Sequence, residues 1–92
     1  MARSVSDQAR LKIINRIARL DGQVQALRRM VEKSDDWKKL LILAAAIQGA
    51  ADQVTVDLYQ GYLLTITGDA TLAGKAREGL ELVLKRRLWA LL

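Results

Sequence analysis

The chain has 92 residues, length for one domain over 1–92, and is 51% hydrophobic with neither Pro nor Phe. Its 15 Lys and Arg against 10 Asp and Glu give a net charge of +5, which favours a polyanion: nucleic acid, an anionic membrane surface or an acidic protein. With 0 Cys and 0 His it can build no disulfide, thiolate nucleophile, zinc cluster or imidazole base, so neither a metal nor a cofactor is expected. So short and apolar a chain is expected to complete its core by association.

The first predicted helix starts near Ser4 or Ser6, where either hydroxyl can cap it and Asp7 suits the positive helix end. Ile13, Ile17, Leu20, Val24, Leu27 and Val31 alternate steps of four and three, a heptad seam for lengthwise packing on a partner. Gly22 interrupts it at about 1 kcal/mol relative to Ala, and a close helix crossing is expected to account for it.

Ser34 with Asp35 and Asp36 reads as the cap and first turn of a second helix. Leu40, Ala44, Ile47, Ala51, Val54 and Leu58 carry the same spacing to near Gly68, about 33 residues or roughly 50 Å. A third helix runs from Asp69 or Thr71 to the C-terminus, with Ala73, Ala76, Leu80, Val83 and Leu84 as its apolar stripe. The fold class is all-α. Two long helices joined by a short turn form an antiparallel hairpin, and two hairpins close into a dimeric four-helix bundle. The third helix then docks on the bundle or joins dimers into a dimer of dimers. No apolar run approaches the roughly 20 residues needed to cross a bilayer, and Met1-Ala2-Arg3-Ser4 is not the start of a signal peptide. A cytoplasmic protein with no membrane contact is expected.

Basic residues gather early: Arg3, Arg10, Lys12, Arg16 and Arg19. Lys12, Arg16 and Arg19 fall on one stripe, and Lys85, Arg86 and Arg87 form a second cluster. Either is a candidate phosphate contact or an ordinary solvated face. Neither a recognition-helix turn nor a zinc finger is present, so DNA would be met by a bundle face reading groove shape and phosphates. Glu32, Asp52, Asp57, Glu78 and Glu81 read as solvated or ion-paired surface groups, with Asp52 able to pair to a facing helix. No hydrolase, kinase or dinucleotide motif appears, and the chain does not read as an enzyme. Trp37, Tyr59 and Tyr62 are core packing by default, with an aromatic-lined ligand pocket as the sharper alternative.

Arg16-Ile17-Ala18-Arg19-Leu20-Asp21-Gly22-Gln23-Val24 and Ala26-Leu27-Arg28-Arg29-Met30-Val31-Glu32 strongly resemble the first helix of the CsoR–RcnR–FrmR repressor family. Ala45-Ala46-Ile47-Gln48-Gly49-Ala50-Ala51 is similar to its second helix, and Leu80-Glu81-Leu82-Val83 more loosely to its third. The resemblance implies an antiparallel four-helix dimer paired into a tetramer, bound to double-stranded operator DNA and released by an effector. Arg16 and Arg19 match the family's DNA-contacting positions, with Lys12 and Arg10 nearby.

The sensor positions depart from the family. Its invariant Cys falls on Trp37, a His on Tyr62 and a further Cys or His on Ile66, while Ala2 follows the first Met. Glu81 matches an acidic residue of the third helix. Cu(I) wants thiolate and imidazole, Ni(II) wants nitrogen or mixed donors, and formaldehyde sensing needs a nucleophilic thiol. The expectation is a repressor unresponsive to these through the usual site. A small organic effector at Trp37, Tyr59, Tyr62, Ile66 and Glu81, between two subunits, is one outcome; a pocket filled permanently by its aromatics is another. The alternative function is a helical scaffold for protein assembly that has lost DNA binding.

Overall fold

The computed structural model describes the backbone of residues 7–91 and the side chains of residues 7–87. The Ser4 and Ser6 caps, Arg3 and the Trp89 side chain lie outside the described residues. Three helices follow in order: α1 Asp7–Lys33, α2 Trp37–Thr67 and α3 Ala70–Leu91. Their boundaries have local causes. Asp36 and not Ser34 caps α2, its Oδ1 accepting from the Lys39 N–H at 3.2 Å, while the Ser34 hydroxyl oxygen accepts from the Asp36 N–H at 3.1 Å and so turns the chain ahead of the helix. Gly68 closes α2 in the left-handed conformation at φ 65°, its N–H donating to Leu64 O at 2.9 Å. Asp69 then caps α3, accepting from the Leu72 N–H at 3.0 Å.

The short turn folds α1 back along α2 as an antiparallel hairpin, and α3 packs on α2 as well. The backbones of α1 and α3 do not meet, so α2 is the middle of a single layer. The Cα extents of 51 × 28 × 13 Å describe a slab one helix thick. Such a slab cannot enclose much. Leu40, Val56 and Ala73 are the buried apolar side chains among the described residues, and Asp57 is buried with them.

The predicted seam of α1 therefore divides. Ile13, Leu20 and Leu27 are half-buried toward α2, whereas Ile17, Val24 and Val31, seven residues apart, stay 47, 47 and 50% exposed. One neighbouring helix covers one edge of a heptad stripe; covering the other takes a second helix. Gly22 also departs from expectation: it is exposed, and a Cβ there would meet nothing within 4 Å. No crossing helix within the described chain accounts for it.

The apolar runs need a correction too. The 31-residue α2 has an 18-residue stretch of mean hydropathy 1.3, long and apolar enough by length and composition to cross a membrane. Gln48, Asp52, Gln53 and Asp57 interrupt its Leu, Ile, Val and Ala residues, so the stretch does not read as an unbroken hydrophobic block.

Candidate nucleic-acid interface and sensor positions

Lys12, Arg16 and Arg19 lie along one side of α1 and, with Gln8, Leu11 and Asn15, line a surface groove of about 380 Å³. Steps of four and three return to the same side of a helix, which is why the charge pattern in the sequence becomes a continuous basic face. Arg10 does not join it. Two residues before Lys12, it points about 160° away around the helix and is exposed there.

Of the three groove cations, Arg16 is the one that a salt bridge holds among the described residues. Arg16 donates from Nη1 to Asp57 Oδ2 at 2.6 Å, across from α1 to α2. The other carboxylate oxygen of Asp57 accepts from Arg77 Nη1, also at 2.6 Å, reaching in from α3. Arg77 further donates to Gln60 Oε1 and, from Nε, to Glu81 Oε1, both at 2.8 Å. Partial burial works against the charge on Arg77. Hydrogen bonds and attraction from Asp57 and Glu81 outweigh it, and its pKa is raised above the ordinary arginine value. One buried carboxylate thus ties together all three helices.

Asp57, Gln60 and Arg77 do not stand out as functional in the sequence; of the expectation that Asp57 is a solvated or ion-paired surface group, the ion pairing holds and the surface position does not. A carboxylate flanked by Val56 and Leu58 in an apolar helix was the available signal, since such a group needs a cationic partner once buried. Of the second basic cluster, Arg87 donates to Asp52 Oδ1 at 2.8 Å, tying α3 to α2, and Lys85 lines a cleft between those helices.

The positions expected to line an effector pocket are on the surface of the chain. Trp37 is 67% exposed, Tyr62 61%, Ile66 59% and Tyr59 39%, so the default of core packing within the chain does not hold. Tyr59, Tyr62 and Ile66 share one stripe of α2, but Trp37 is about 37 Å from Tyr62 along the same helix. A single chain cannot close a pocket from both. Glu81 is placed apart from them: it is held by Arg77 and faces a cleft of about 180 Å³ with Gly49, Gln53, Val56 and Leu84.

The family of metal-sensitive transcriptional repressors matches the chain over residues 9–86, reaching from α1 through α2 into α3 and including the Asp57 junction. The chain belongs to that family. It is 31% identical over 88 residues to the transcriptional repressor RcnR of Escherichia coli strain K12, covering 92% of each chain. It is 27% identical over 76 residues to the copper-sensing transcriptional repressor CsoR of Bacillus subtilis, covering 83% of this chain and 75% of that one. No solved structure matches the chain closely.

This member of the metal-sensitive repressors is a transcriptional regulator and not an enzyme. The chain offers neither thiolate nor imidazole donors. It has 0 Cys and 0 His, and among the described residues no three carboxylates gather into a group that could hold an ion.

Proposed function

We propose that this metal-sensitive repressor homologue binds double-stranded operator DNA as a homodimer or homotetramer in the cytoplasm, without metal or formaldehyde control through a Cys and His site. The observation that carries the reading is the α1 groove, where Lys12, Arg16 and Arg19 present three cations along one helix. A row of cations on a rigid rod follows a phosphate backbone and gives affinity that falls steeply with salt. Arg10 contributes from the other side of α1, toward a second strand or a second subunit. In this reading residues 1–92 act as one domain.

Self-association is supported by the uncovered edge of α1 at Ile17, Val24 and Val31 and by the exposed aromatics of α2. Two subunits running antiparallel would bring Trp37 of one toward Tyr59, Tyr62 and Ile66 of the other. A small organic effector would then bind among these aromatics, between the two subunits. Glu81 would act from the α2–α3 cleft, through Arg77.

The test is retention of duplex DNA at moderate salt by the wild type, by Arg19→Glu and by Lys12→Glu. Charge reversal is expected to weaken retention at least tenfold, roughly 1.4 kcal/mol per step of ten. Unchanged retention sinks the repressor reading and moves the weight to an assembly scaffold. One observation favours that second reading: Arg16 is already engaged by a buried carboxylate rather than offered freely to a ligand. For the effector, titration of a small-molecule panel followed by tryptophan fluorescence is expected to show a saturable change. A flat response across the panel speaks for a filled pocket.

A further inference from the structure

Arg16 is the one groove cation with a salt bridge among the described residues, and its side chain is 27% exposed. Its partner Asp57 has a side chain only 6% exposed and is shared with Arg77 of α3. Arg77 is fixed in turn by Glu81 and Gln60. The cluster balances two guanidinium groups against two carboxylates across three helices. We propose that Asp57 and Arg77 are positioning residues for DNA binding: Asp57 holds Arg16 back in competition with a phosphate, and Arg77 sets how readily it lets go. The affinity of the α1 groove is thereby governed from α3. This rests on the DNA-binding reading above.

The argument is one of charge compensation. A buried carboxylate stripped of every cation is strongly disfavoured, whereas one that keeps one of its two cations stays charge-paired. When a phosphate draws the Arg16 guanidinium outward, its long stem can stay packed while the head moves. Asp57 is then left with Arg77, a permanently charged guanidinium held in place by Glu81 and Gln60. Without Arg77, Asp57 depends on Arg16 alone and binds it more tightly. Without the Asp57 charge, Arg16 is free to meet phosphate. The two removals act in opposite directions, which no purely structural role of the cluster would produce.

The experiment measures binding of a fluorescent duplex by anisotropy as a function of salt, for the wild type, Asp57→Asn, Arg77→Gln and Arg77→Lys, with Arg19→Glu as a control for the groove. Asp57→Asn is expected to tighten binding several-fold and to steepen the salt slope by about 1, the contribution of one further phosphate contact. Arg77→Gln is expected to weaken binding several-fold and make the slope shallower by about 1. Arg77→Lys keeps a charge beside Asp57 and is expected to stay near wild type. Helical content and melting temperature are recorded for each. Should Arg77→Gln fail to fold, Asp57→Asn and Arg77→Lys decide the matter by the same criteria. If Arg19→Glu weakens binding but Asp57→Asn weakens it or leaves it unchanged, the positioning role is overturned and the DNA reading survives. If the wild type and Arg19→Glu bind DNA equally, the DNA reading falls and this proposal with it.

Discussion

At the scale of single residues, Asp57 dominates because it is the one charged group buried among the described residues, and because both its oxygens are taken by arginines. Removing one member of a buried ionic group leaves the others uncompensated. Asp57→Ala is expected to cost about 3 kcal/mol in urea unfolding, with loss of the α1–α3 link through α2. Gln23 presents the opposite case. Its Oε1 is buried with no hydrogen-bond partner, in the middle of the Gly22-Gln23-Val24 segment. Met has nearly the same volume and no such unmet acceptor. Gln23→Met is therefore expected to raise stability by about 1 kcal/mol in the same assay. A loss of that size instead would mean that a donor from a second subunit reaches Gln23.

At the scale of helices, sequence and structure agree where the cause is local. Gly68 and Asp69 act on their immediate neighbours, so the end of α2 and the start of α3 are legible directly, whereas the cap of α2 is Asp36 and not Ser34, two residues later than expected. The heptad seam of α1 was also legible, but not its division between a covered and an open edge. That depends on how many helices surround α1, which periodicity alone does not encode. The basic groove was legible because Lys12, Arg16 and Arg19 are neighbours along one helix. The Asp57 junction was not, since Arg16 lies 41 residues from it and Arg77 lies 20 away on another helix. For the aromatics, their residue types were informative and their exposure was not, because burial is decided by the slab around them. Gly22 gives this scale its prediction. With open space around its Cα, Gly22→Ala is expected to strengthen α1 by about 1 kcal/mol, read as a higher melting temperature. A second subunit crossing at that point would reverse the sign, and thermal unfolding would show it.

At the scale of the molecule, a slab one helix thick leaves Ile17, Val24, Leu41, Leu58, Tyr62 and Leu82 each near half-exposed or more. So little enclosed core supports the proposed self-association. Val24→Glu places a charge on the open edge of α1 and is expected to shift the protein to monomer in sedimentation or light scattering. An unchanged oligomer would move the interface to the aromatic side of α2.

The slab also bears on how much of the protein a cell must hold. If a neighbour supplies the other half of the core, folding and encounter become a single equilibrium, and stability follows concentration by mass action. A sparse population would then be selectively open to proteases, while a dense one protects itself. Abundance would set not only how many sites are occupied but how long each copy lasts, giving the population a lower threshold below which it clears itself.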